Sequence, residues 1–250
     1  MKSHSRFLEL DVWRGLAIIG MIVFHFAFLL NYLSLVVINT GVGGLHLLAR
    51  LVQWSFLLLV GIGLQLSYQK TIARNKAKGD FLKKNLIRGL MVLVCALVIT
   101  LATALVIPEQ YVRFGILHVI GVSMLLLGLI ADRPKLALFI SILIVFLTPI
   151  IFNQPTNIEV LVIFGFIPKG FQTIDYFPLF PWMAVPALGI FLGSFFYRNF
   201  QRRFKPLPIS LPGSSSFASL GKKSLLIYMV HVPILIMVIF ALNWLIGKLS

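Results

Sequence analysis

Seven apolar runs follow one another along this 250-residue chain, and short polar or basic stretches separate them. A helix needs roughly 20 mostly apolar residues to cross the hydrocarbon of a bilayer. The runs fall near 13–34, 44–68, 86–107, 114–131, 134–152, 178–197 and 223–247. In lipid every backbone donor and acceptor must be satisfied within the protein, so segments of this length and composition are expected as helices. The fold class expected is therefore all-α: a polytopic transmembrane helix bundle of about seven spans, in one domain over 1–250. No repeat is evident between its halves.

Segment 153–177 (NQPTNIEVLVIFGFIPKGFQTIDYF) breaks the pattern, because its apolar stretch from Val160 to Ile167 is too short to span. It is expected as a re-entrant or interfacial piece before span six. Span six itself opens with Pro178, Pro181 and Pro186. These remove backbone donors and should make its first half irregular.

The placement of charge orients the spans. Hydrophobic residues make up 59% of the chain and charged ones 12%, yet the formal net charge is +15. A soluble domain keeps about a quarter of its residues charged, so lipid must solvate most of this chain. The cations gather at Lys70 to Arg88, Arg133 to Lys135 and Arg198 to Lys223, between apolar runs, which excludes a nucleic-acid partner in favour of membrane loops. With the N-terminus inside, only Arg50, Arg113, Lys169 and Lys248 of the 22 lysines and arginines fall outside. The opposite orientation would invert the positive-inside bias. The expected location is a bacterial-type inner membrane, with the N-terminus cytoplasmic and the C-terminus outside. Glu9, Asp11 and Arg14 cluster at the start of the first run and no small-residue cleavage site follows it, so it reads as an uncleaved span. Cys95 is the single cysteine and lies inside an apolar run, where it reads as a small packing residue.

Ionisable groups within spans are costly, and each is a candidate site. Positions eleven apart on a helix differ by only about 20° around it and by about 16 Å along it. Arg14 and His25 thus share a face of span one, with Asp11, Met21 and Tyr32 close to it, and Asp11 can pair with Arg14 three residues on. One reading makes this stripe the wall of a cleft, from an anion-binding end to a histidine near mid-membrane. The other makes Arg14 a snorkelling anchor and His25 a hydrogen-bonded packing residue. The depth of His25 favours a functional role. His118 lies between Gly115 and Gly121, on a smooth face that lets another helix approach, and function and packing weigh equally there. Tyr228 and His231 share a face of span seven and are expected as structural polar residues. Asp175 with FPLFPWM, and Trp182 within it, marks either an aromatic belt or a cavity rim. His46 is expected at the interface and His4 in the leader. No two histidines stand at metal-ligand spacing, and no metal site is expected.

Four landmarks, LDVWRGLAIIGMIVFHF, RFGILHVIG, FPLFPWMAVPALGIFLG and GKKSLLIYMVHVP, run in order through nearly the whole chain. Together they resemble the transmembrane acyltransferases related to heparan-alpha-glucosaminide N-acetyltransferase, in particular the small bacterial members. The spacing of Arg14 and His25 is also similar to the first-span motif of membrane acyltransferases that O-acylate surface glycans. The resemblance implies transfer of an acyl group, typically acetyl from acetyl-CoA, to a sugar or other acceptor across the membrane. It implies no bound cofactor, with acyl-CoA, a glycan-like acceptor and the bilayer as partners, and leaves homo-oligomerisation open. Carried over, His25 is the catalytic candidate and Arg14, beside Asp11, belongs to the donor side. His118 is a second catalytic candidate, with Arg113, Asp175 and Trp182 at the acceptor end. One departure stands out. The animal enzyme carries an asparagine opposite His25 and its histidine in the first outer loop, whereas the loop here (NYLSLVVINTGVGG) has none. The competing class is a proton-coupled carrier that uses His25 and His118 as a relay, and a structural membrane subunit is the third reading.

Overall fold

The computed structural model describes residues 7–204 and 213–249. His4 of the sequence reading lies outside the described residues. Six helices among those described are long and apolar enough to cross a membrane. They are α1 (Leu8–Tyr32), α2 (Gly43–Ile72), α3 (Lys78–Val106), α5 (Pro134–Ile151), the α6/α7 pair over Leu179–Phe196, and α9 (Ser224–Leu249). The protein is a multi-pass, all-α membrane protein.

The expected fourth span is built differently. Its continuous helix, α4, covers only Ile116–Gly128, about 20 Å and short of a bilayer's hydrocarbon. The flanking residues make up the length. Val112 takes a hydrogen bond from Thr100 near one end of α3, and Asp132 pairs with Lys78 at the other. Between them Gly121 lies against Leu93, and the Asn85 amide donates to the Met124 carbonyl. The segment 112–132 therefore runs antiparallel along nearly the whole of α3, with extended residues and turns completing the pass. Asp80 caps the start of α3 by accepting the Ala77 N–H at 3.1 Å.

The chain forms two compact units, Met1–Phe56 with Leu207–Ser250, and Leu57–Pro206. In the first, α1 packs on α9 and on a short helix, α8 (Ser214–Lys222). Small residues set the α1–α8 contact: a side chain at Gly15 would collide with the Phe217 carbonyl, and one at Gly221 with that of Asp11. The sequence reading placed 198–222 in a loop. Its low hydropathy concealed a helix that buries Ala218 and Gly221.

In the second unit α3 pairs with α4 and α5 with α7 (Ala184–Phe196). A core of Leu64, Phe81, Leu127, Ala131, Ala137, Ala187 and Ile190 joins residues of α2, α3, α4, α5 and α7. Segment 153–177 does not span. It forms a parallel pair, β1 (Pro155–Thr156) with β2 (Ile167–Pro168), around a 3-10 helix at Glu159–Phe164. The proline-rich opening is irregular, as expected. Helix α6 (Leu179–Trp182) contains a non-helical Phe180 and a cis Phe180–Pro181 bond, and α7 starts only at Ala184. A short hairpin, β3 (Tyr197–Arg198) and β4 (Gln201–Arg202), follows α7. The Gln69 amide holds it by donating to the Tyr197 carbonyl and accepting the Phe200 N–H.

Candidate functional site

In the first unit, α1 lays out the expected polar stripe. Arg14 donates through Nη1 to Asp11 Oδ1 at 2.9 Å, and the Asp11 side chain is only 7% exposed. An ionised carboxylate so enclosed requires its partner, because an unpaired buried charge is costly. Eleven residues on, His25 Nδ1 lies 2.9 Å from the Met21 carbonyl. A carbonyl oxygen can only accept, so Nδ1 carries a proton, and when the ring is neutral its lone pair lies at Nε2. From His25 towards the end of α1, Phe24, Phe28 and Tyr32 stack four residues apart.

Helix α9 brings His231 against this ring. The two imidazoles meet edge to face, with centroids 4.7 Å apart. His231 is 6% exposed, and its Nδ1 lies 2.6 Å from the Tyr228 carbonyl, so it holds the same tautomer as His25. Its Nε2 is buried and has no hydrogen-bond partner. Tyr228 lies beside it, ring centroids 5.4 Å apart. The sequence reading placed Tyr228 and His231 on a shared face as structural polar residues. It missed the meeting of His231 with His25, because a helical wheel gives the face of a residue but not the helix that face meets.

The second unit holds the other candidates. His118 closes the start of α4: its Nδ1 accepts the Gly115 N–H at 3.2 Å, and its Nε2 lies 3.4 Å from the Thr100 hydroxyl. That hydroxyl donates to the Val112 carbonyl, so its lone pair faces the imidazole and Nε2 is the donor. Both ring nitrogens are engaged. Asp175 Oδ2 accepts the Ile116 N–H at 3.2 Å, a carboxyl at the positive end of a helix. A side chain at Gly115 would strike this carboxyl and force it to shift. Burial pushes the Asp175 carboxyl up to about 6, against which the Ile116 N–H acts in the opposite direction.

Arg113 extends between the rings of Tyr111 and Phe171, about 5 Å from each centroid. Its Nη1 lies 3.6 Å from Glu159, and its Nε is buried without a partner. Trp182 packs on Phe177 at 4.7 Å. Backbone pairing of Ile174 with Gln110 and of Phe177 with Phe114 stitches 174–177 to the loop before α4, which gathers Arg113, His118 and Asp175 at one end of that helix. His25 and His118 belong to different units.

Several buried polar residues escaped the sequence reading: Gln65 and Ser123, which lie within apolar runs, and Asn85, which follows Lys83 and Lys84 in the polar opening of α3. A cleft of about 180 Å³ lined by Tyr68, Gln69, Ile72, Ala73 and Asn199 is too small for a nucleotide-bearing ligand. Among the described residues no three histidine, cysteine or acidic side chains group as metal ligands.

Residues 6–233 match the family model described as heparan-alpha-glucosaminide N-acetyltransferase, catalytic. No curated protein and no solved structure matches the chain.

Proposed function

This chain belongs to the heparan-alpha-glucosaminide N-acetyltransferase catalytic family, and from that premise we propose that it moves an acyl group from acyl-CoA to a hydroxyl or amine across the membrane. A membrane acetyltransferase-type function follows from the family itself. The finer reading makes acetyl-CoA on the cytoplasmic side the donor and a sugar or glycan-like molecule at the outer side the acceptor. The positive-inside bias supports an inner-membrane placement with the N-terminus cytoplasmic.

The observation that carries this reading is the contact of His25 Nδ1 with the Met21 carbonyl. Its Nδ1–H is held on the Met21 carbonyl, and a neutral Nε2 is the group acyl transfer requires, either to take a proton or to take the acyl group. Arg14 in its ion pair with Asp11, on the same stripe of α1, serves the phosphates of the donor. The reading leaves His118 and Asp175 as the residues that hold the start of α4, and Arg113 and Trp182 as the acceptor-side candidates. Membranes carrying the protein, incubated with labelled acetyl-CoA, should yield a labelled product whose mass identifies the acceptor. Label that stays in acetyl-CoA, with no difference from membranes lacking the protein, would remove the activity.

A further inference from the structure

A half-buried imidazole, His25, and a buried one, His231, meet edge to face, and each gives its Nδ1–H to a carbonyl of its own helix, which leaves the lone pair of each neutral ring at Nε2. A packing role accounts for only half of His231. Its Nδ1 is satisfied by Tyr228, but its Nε2 is a buried acceptor with no donor. Leaving such an acceptor unmade is costly, and a leucine or phenylalanine here would avoid the cost. A buried acceptor beside a reactive histidine fits a donor that arrives with the substrate. A hydroxyl or amine acceptor brings one.

We infer that His231 is the base that deprotonates the acyl acceptor, and that its lone pair frees His25 to act as the nucleophile. This rests on the acyltransferase reading and assigns roles that reading leaves open. In the first step the His25 Nε2 lone pair attacks the thioester carbonyl carbon, an N–C bond forms, and the C–S bond breaks to release the CoA thiolate. His25 keeps its Nδ1 proton on Met21, so the acyl-imidazole is cationic and a good acyl donor. In the second step the acceptor oxygen or nitrogen attacks the acyl carbon while its proton passes to His231 Nε2. The N–C bond breaks and returns His25 to neutral. The proton on His231 then leaves to water, and the thiolate takes one from water. Acyl thioester and acceptor become acylated acceptor and thiol, with no other reactant.

The division of labour separates two assays. Exchange of labelled CoA into acetyl-CoA by the purified protein needs only the first step. Transfer of labelled acetyl to acceptor in membranes needs both. His231→Asn keeps a side-chain donor for the Tyr228 carbonyl and removes the base. It should leave exchange within about threefold of wild type and cut transfer by about 100-fold or more. His231→Gln, with an amide near the place of Nε2, should show the same split, and His25→Ala should lose both activities. Wild-type transfer in His231→Asn overturns the assignment. So does a parallel loss of exchange and transfer in both His231 variants at unchanged thermal stability, which marks a packing residue. Wild type that transfers without exchanging also overturns it, because no acyl-histidine then forms. Wild type that does neither overturns the acyltransferase reading itself.

Discussion

Asp175→Asn tests how the segment before α6 is fastened to α4. The wild-type carboxyl is buried, accepts the Ile116 N–H, and is pushed from its ordinary 3.8 up to about 6. The sign follows from linkage. A carboxyl whose folded pKa is raised above its unfolded value contributes stability that is fully present below about 4 and is lost as pH rises through about 6. The interval corresponds to roughly 3 kcal/mol at 1.36 kcal/mol per tenfold change, an upper figure for the destabilisation at pH 8. Asparagine keeps an oxygen for the Ile116 N–H and cannot ionise. Thermal unfolding in detergent, followed from pH 4.5 to 8, should show the wild type losing stability up to about pH 6 and levelling off above it. The Asn variant should stay flat over the same range and be the more stable protein at pH 8. Parallel pH profiles for the two proteins would show that Asp175 does not titrate in this window, and the account of its burial would fail.

Arg14→Lys separates donor recognition from membrane anchoring. A lysine can snorkel as well as an arginine, but its ammonium cannot give paired donors to a phosphate. The expected result is a loss of about one to two powers of ten in apparent acyl-CoA affinity with most of the maximal rate kept, and equal affinity in titrations would leave Arg14 as an anchor. Asp11→Asn should be measured alone and with it, because the pair is in direct contact and the effects will not add. For the orientation, single cysteines at Ser214 and Lys76 in a Cys95→Ala background should resist an impermeant maleimide on intact cells. Ready labelling of both would reverse the topology.

Hydropathy located the passes but not their ends. Helix α3 begins at Lys78, eight residues before the apolar run at 86, because KGDFLKKN is helical while too polar for lipid. In α4 the opposite holds: the run 114–131 is apolar, yet the helix is confined to Ile116–Gly128 by an extended Gly115 and by turns after Gly128. Helix α8 left no apolar signature, because its contact with α1 is made by glycines and backbone. For the polar groups, spacing along one helix was legible: the Asp11–Arg14 ion pair and the lateness of His25 in span one follow from 3.6 residues per turn. What no single-helix argument holds is which faces meet. His231 and His25 are more than two hundred positions apart in the chain, and only the packing of α1 on α9 brings the rings together. His118 shows the same limit, since its two partners, Gly115 and Thr100, decide its tautomer.

The central claim is that His25 performs acyl transfer, and His25→Ala in well-expressed, folded protein tests it most directly. The account predicts that labelled acetyl-CoA is no longer consumed above background while the thermal stability of the protein in detergent stays close to wild type. Turnover equal to wild type in that variant would remove His25 from the chemistry and contradict the account.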